Sequence, residues 1–501
     1  MAKLLRRCGL TGATAALLFA LPAPVRAAGS PIPAAEILAR VQAGRPVVLA
    51  HETIVGRLDL ARITDVHGVF KCRECRFLGH VDAGDVTFEH TVDVTGSTFS
   101  HGADFRGATF HAPALFRAAF GDNPDTEGRP LVVHGRTDFS LAVFEDIASF
   151  SGATFTGTAA FGDARFLDVS FARAEFSAMA GFARTSFRGI ANFNGTFFDE
   201  SATFDDADFR ARTDFAVSVF GRGATFSGAQ FASGASFLAA EFNAPKSGEE
   251  DAASFDSVTS AGNLDFTFTD FKSPARKPQE IAVFDDLVCG KSLVFRTTGF
   301  PPDDSISMTR LQVTDLVLDV ATVRQVAPGD NGSDQESVLR TIENSAKTRD
   351  ELGVANDAHY ELRVRASKRY GATLHALDYV FYRGAAGYFV KPFRPLLLLG
   401  AIATLAAMAR YLRIRTKPEI DSSRGRLRIR WRAAQVRCAD FLTCLLDTFA
   451  LAAPRWRSTR EGDVGLGERV QAILYRLLLV CALLGLANSN PTLRNMVDTL
   501  V

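Results

Sequence analysis

The chain has no charge to spare in either direction. Across 501 residues, 56 Lys and Arg are matched by 56 Asp and Glu. That balance removes the electrostatic drive for binding polyanions, and equally for an acidic protein that imitates nucleic acid; no nucleic-acid partner is expected. Tyrosine and tryptophan are scarce, at 7 and 2, whereas phenylalanine reaches 42. An excess confined to one bulky apolar residue points to identical sites repeated many times. No Gly-rich phosphate loop joins a strand to a helix. Among the many Asp and Ser residues, no spaced pair picks out a nucleophile or an acid–base couple. The expectation is therefore no enzyme and no cofactor.

What is present is a beat. Twenty phenylalanines recur every five or six residues: Phe139, Phe144, Phe150, Phe155, Phe161, Phe166, Phe171, Phe176, Phe182, Phe187, Phe193, Phe198, Phe204, Phe209, Phe215, Phe220, Phe226, Phe231, Phe237 and Phe242. Two places before each stands Ala in 14 cases and Thr in 4. The same beat begins at Phe77 and continues raggedly to Phe295. Helices repeat near 3.6 residues and strands every 2, so this period is neither. Short fixed periods belong to solenoids, where one coil buries its apolar side only when neighbours stack on it. In an extended segment, positions i and i−2 share a side, so Phe and its small partner both point inward. Gly, Asp, Asn and Ser between them suit corners. Four faces of 5, 6, 5 and 6 residues predict a square coil, with seven to eight coils between Phe77 and Phe242 and a rise of about 4.8 Å each.

Units such as SGATF (151–155), RGATF (106–110 and 222–226) and DDADF (205–209) resemble the pentapeptide-repeat proteins. The resemblance covers roughly residues 65 to 300. It implies a mainly β fold, a right-handed quadrilateral β-helix with a helical N-cap. IPAAEILARVQAG (32–44) fits such a cap, with Ile37, Leu38 and Val41 on one face, and SLVFRTTGF (292–300) and MTRLQVTDLVLDV (308–320) read as the last coils. Loops are expected to protrude at 121–135, 243–254 and 272–280. A capping box at Ser333–Glu336 predicts a helix through Leu352, followed by a second with Ala355, Leu362, Tyr370, Leu377 and Phe381 at helical spacing.

The N-terminus reads as a signal peptide: basic MAKLLRR, a short apolar stretch, and Val25-Arg26-Ala27 as the cleavage site. Residues 395–412 hold a single charge, Arg410, with Tyr388 and Phe389 as interface aromatics. A second apolar stretch, 470–487, contains Arg476. Between them, Arg413 to Arg437 carries nine Lys or Arg against Glu419 and Asp421, which the positive-inside rule places in the cytoplasm. The expected division is a signal peptide (1–27), cap and first strands (28–64), β-helix (65–325), juxtamembrane helical pair (333–390), transmembrane helix (393–412), basic cytoplasmic loop (413–469) with an amphipathic segment (438–453), second transmembrane helix (470–488) and tail (489–501). The rod then lies in the periplasm of a bacterial inner membrane.

His67, Cys72, Cys75 and His80 have zinc-like ingredients. In an exported chain a Cys72–Cys75 disulfide or packed thiol pair leads, free cysteines of no special role come second and a metal site last. His80, His90, His101 and His111 fall 10, 11 and 10 apart, so alternate ones are expected on adjacent coils. The leading function is a non-enzymatic membrane-anchored scaffold for an envelope protein or cell-wall partner, with homo-oligomers allowed. The alternative is a two-helix ion-channel-like protein, in which ADFLTCLLDTFALAAP (439–454), with Asp440 and Asp447, lies between the spans. The most remote is DNA-mimic topoisomerase protection, which zero net charge and export oppose.

Overall fold

The computed structural model describes residues 30–119, 129–245, 251–273, 278–329, 332–369 and 393–416, with 374–375, 378–379, 383, 473, 476–480 and 482. In it the five-to-six beat becomes a coil. Thr137–Asp138, Val143–Phe144, Ala148–Ser149 and Thr154–Phe155 form four successive faces, here numbered one to four. Ala159–Ala160 then returns to face one, with Ala159 in parallel register on Thr137. Faces one and four are 11-stranded sheets, and faces two and three merge into one of 21 strands. On face four the register partners run Phe77, Phe99, Val133, Phe155, Phe176, Phe198, Phe220 and Phe242, which is seven coils.

The alternation of five and six has a geometric cause. After Phe139, only Ser140 and Leu141 precede the next inward residue, and the Ala142 N–H donates to the Phe139 carbonyl at 3.1 Å. Leu141 has φ +63°. A hydrogen-bonded turn with positive φ at its third residue is the type II pattern. The same bond and sign recur at Phe150–Ala153, Phe161–Ala164 and Phe171–Ala174, with Gly152, Asp163 and Arg173 left-handed. Six-residue corners carry one more residue and bend without that bond.

The beat slips once, where Phe166 to Phe171 takes five residues instead of six and the coil from Phe161 to Phe182 shortens to 21. Stacking survives because Asp168 Oδ1 accepts the Ile190 N–H at 2.7 Å. The price is a glycine next door. A Cβ at Gly189 would lie 2.1 Å from Asp168 Oδ1 and 2.7 Å from the Leu167 carbonyl.

Both ends are closed, as a solenoid requires. Helix α1 (Ala34–Gln42) buries Ala34, Ile37 and Val41, and Leu38 packs partly against the core. Ile32–Pro33, expected as helix, is instead a strand paired with Ile54–Val55, so the cap extends the sheet before it turns helical. At the far end, α2 (Ser333–Thr348) lays Val338, Leu339 and Ile342 on the last coil, and Ser345 Oγ accepts the Leu316 N–H at 2.9 Å. Helix α3 (Leu352–Ser367) follows after a short break in which Arg349 binds Asp315 and Glu351.

Two boundary expectations need correction. The capping box would make Ser333 the N-cap, but Gly332, at φ +80°, holds that place and Ser333 is already helical. The two helices end at Thr348 and Ser367, not near 352 and 381; Asp350 turns the chain at φ +59°. Tyr370, Leu377 and Phe381 lie outside the described residues.

Helix α4 (Phe393–Thr416) has a continuous helical backbone. Among the described residues, no helix is long and apolar enough to cross a membrane. The two expected spans are therefore not part of what the fold establishes. The segments 1–27, 417–469 and 489–501, and most of 470–488, fall outside the described residues, as do the loop positions 120–128, 246–250 and 274–277.

Candidate functional site

All twenty ladder phenylalanines are buried. Within each face they stack coil on coil: Phe139, Phe161, Phe182, Phe204 and Phe226 have centroids 4.8 to 5.3 Å apart and nearly parallel planes. Faces one and three oppose each other across the interior, and their rings meet edge to face, Phe150 with Phe161 at 78° and Phe171 with Phe182 at 81°. Both arrangements are favoured by the ring quadrupole. Where Thr or Ser replaces the small Ala, the hydroxyl at most such positions is satisfied by backbone, Thr137 being the exception: Thr185 donates to the Phe161 carbonyl at 2.7 Å, and Ser218 to that of Phe215 at 2.7 Å. The ladder is architecture, and what it leaves exposed are the outward residues, the corners and the ends.

The cysteine pair sits at the N-terminal coils. Cys72 and Cys75 are fully buried, their sulfurs 2.6 Å apart. Their mutual hydrogen bond, with burial, holds the Cys72 thiol far above the ordinary range, and the same bond lowers Cys75. Ser97 Oγ accepts the Cys75 N–H and donates to the Cys72 carbonyl, pinning the loop. His67 and His80 do not join them. His67 pairs with Glu89 at 2.9 Å, a hydrogen bond that raises its pKa, and His80 Nδ1 lies 3.0 Å from the His101 carbonyl. Among the described residues no three His, Cys, Asp or Glu side chains could hold a metal. His80 and His101 do share a corner on adjacent coils.

Several charges on the rod are paired with a neighbour one coil away. Arg184 grips Asp163 of the coil below at 2.9 and 2.7 Å, and this bond holds the Asp163 carboxyl low. Arg222 pairs with Glu200 at 2.8 Å, and Arg310 with Asp286. The coil lengthens at each of the three expected loops, but strands take the ends of those ranges, Val132–Val133 in the first, Asn243 and Ala253–Ser254 in the second, Lys272 and Glu280 in the third. An antiparallel bridge, Ala119 to Arg129, closes the base of the first. The other two leave the same corner, between faces four and one, on consecutive coils: Ala224 pairs with Ala253, and Ala253 with Ala282.

At the base of the rod, cations and carboxylates around one opening are unequal in number. A cleft of about 510 Å³ is lined by Arg324 from the turn Val320–Arg324, by Gly332, Gln335 and Glu336 from the head of α2, by Glu361, Val364 and Arg365 from α3, and by Lys368 and Arg369 just past its end, with Arg383. Glu361 meets Arg365 at 3.1 Å and Arg324 at 3.9 Å; Glu336 meets Arg369 at 2.7 Å. Beside it, the Arg394 guanidinium of α4 lies 5.2 Å from the centre of the Tyr360 ring and donates to its hydroxyl at 3.0 Å.

Sequence reading did not find this cleft. Glu361 and Arg365 are visible as an i,i+4 pair, but Arg324 is remote in the chain and joins them only because the helical pair folds back over the last coil.

Residues 132–175 match the family model for pentapeptide repeats (9 copies). No curated protein and no solved structure matches the chain.

Proposed function

We propose that this chain, a pentapeptide-repeat protein, is a non-enzymatic scaffold anchored in the bacterial inner membrane, its rod presented to a protein or cell-wall partner in the periplasm. The observation that carries the reading is the division of labour along the rod. Every ladder phenylalanine is buried in the core, while two inserted loops leave one corner on consecutive coils. A rigid ladder that offers adjacent loops at fixed spacing is how solenoids make binding surfaces. Support for anchoring comes from the basic start of the chain, from the apolar stretch 395–412 and from α4, where Phe393, Leu397 and Leu405 are more than two-thirds exposed. Apolar side chains left bare along one helix call for lipid or a partner.

Reporter fusions after residues 320, 430 and 501 test the topology. Periplasmic signal at 320 and 501 with cytoplasmic signal at 430 is expected; cytoplasmic signal at 320 overturns it. Resistance to alkaline carbonate extraction tests anchoring separately. For the scaffold role, cross-linked partners of the intact protein are compared with those of a chain whose 246–250 and 274–277 segments are replaced by Gly-Ser linkers. Loss of specific partners is expected, and an unchanged set sinks the loop assignment.

A further inference from the structure

We propose that the cleft at the base of the rod is an anion site that takes a phosphate-bearing group. Two elements brought together only by folding supply four cations, Arg324 from the turn Val320–Arg324 and Arg365, Lys368 and Arg369 from α3 and the two residues that follow it, against two carboxylates, Glu336 of α2 and Glu361 of α3. Four less two leaves these residues with an excess of two positive charges. A self-contained ion pair is balanced, as Arg184 with Asp163 and Arg222 with Glu200 are on the rod.

The two carboxylates have a definite part in the arrangement. Glu361 reaches both Arg324 and Arg365, and Glu336 reaches Arg369, so the guanidinium groups are oriented before any ligand arrives. Pre-oriented guanidinium forks match phosphate oxygens in geometry as well as charge. Lys368 makes no ion pair among the described residues and adds a point charge at the rim. Like charges held around open space repel, and an anion entering that space relieves the repulsion. Helix α2 also begins here: no side chain caps it, and a Cβ at Gly332 would meet nothing within 4 Å. A volume of about 510 Å³ exceeds one phosphate and leaves room for what the phosphate is attached to.

Two sources share this chemistry, a phospholipid headgroup and a soluble phosphate ester. The lipid is favoured by position. Tyr360, one turn before Val364 on α3, is bound by Arg394 at the start of α4, whose Phe393 and Leu397 are exposed. That preference rests on the membrane-anchored reading; the anion site does not.

The test uses the full-length protein in a neutral detergent at low salt, titrated separately with inorganic pyrophosphate and with short-chain phosphatidylglycerol. Both are repeated on a Lys368→Glu, Arg324→Glu double variant, on Lys368→Arg, and on Arg188→Glu far along the rod. Wild type, Lys368→Arg and Arg188→Glu are expected to bind alike, with the double variant weaker by about tenfold or more. Tighter binding of phosphatidylglycerol assigns the site to a headgroup, and binding of pyrophosphate alone assigns it to a soluble ester. The proposal is overturned if neither probe binds wild type, or if the double variant binds as wild type does. Should the double variant melt early, Lys368→Glu alone, altered at an exposed position, gives the same comparison. Carbonate extraction decides the anchoring reading independently, so its failure leaves the pyrophosphate result standing.

Discussion

Phe161 and Phe182 occupy the same inward position on adjacent coils, with ring centroids 4.8 Å apart and planes 1° from parallel. Phe161 is also met edge-on by Phe150 and Phe171 at 5.5 and 5.2 Å from the opposite face. One ring thus fills a slot bounded by neighbours above, below and across.

Phe161→Ala should cost about 3–5 kcal/mol, the lost transfer free energy plus the cavity that rigid neighbours cannot close. Chemical denaturation monitored by circular dichroism measures it. A near-neutral result would overturn the inward assignment.

Corner conformation gives an independent test. Gly195 and Val217 hold the same left-handed corner on adjacent coils, at φ +64° and +60°. A Cβ at Gly195 would meet only Arg173 Cγ, at 3.7 Å, so space is not the constraint. Gly195→Val is therefore expected to lose about 1–2 kcal/mol, the backbone cost of a left-handed side chain. Val217→Gly should be neutral to stabilising by up to about 1 kcal/mol, since relief of strain exceeds the entropy of the added glycine. Equal destabilisation by both changes would mean the side chains, not φ, matter at this corner.

Asp93 is fully buried. Burial pushes its carboxyl up, but hydrogen bonds from Thr95 and Arg73 outweigh this and hold the pKa below 3.8. A lowered folded-state value means the ionised group stabilises the fold at neutral pH. That contribution fades as pH falls past 3.8, where the unfolded chain takes up the proton, and is gone below the folded-state value. Asp93→Asn should cost about 2 kcal/mol at pH 7, and the gap to wild type should narrow in stronger acid. Parallel stability curves across that range would contradict the assignment.

If the rod is exported, thiol–disulfide exchange in an oxidising compartment should join Cys72 to Cys75, whose sulfurs already touch. Alkylation after denaturation without reductant, followed by peptide mass spectrometry, should label Cys289 and leave Cys72 and Cys75 unmodified. Full labelling of both in freshly isolated protein would count against export or against pairing.

Much of the rod was legible because each inward position repeats the same local demand. A Phe with a small residue two places earlier states both the face and the partner, and slips in the count mark loops or a shortened coil. Bulky corner residues such as Leu141 and Phe268, exposed at φ +63° and +58°, carried no such mark. Nothing in a single unit says that the hydrogen-bonded turn tolerates them. The cysteine pair was visible as a spacing, whereas the separation of His67 and His80 from it was not. Outward side chains are directed by neighbours one coil away, as Glu89 directs His67.

The sequence by itself determined the coil, its period, its core and the positions of its loops, because burial of one aromatic per face is a local pattern repeated down the chain. Only the tertiary structure decided where charge is left unbalanced. On the rod, stacked coils bring Arg184 to Asp163 and Arg222 to Glu200 at register distance. At the base, the helical pair folds over the last turn and gathers Arg324 with Arg365, Lys368 and Arg369 around one opening. Balanced composition conceals that excess, since electrostatic energy depends on distances between groups and not on their totals.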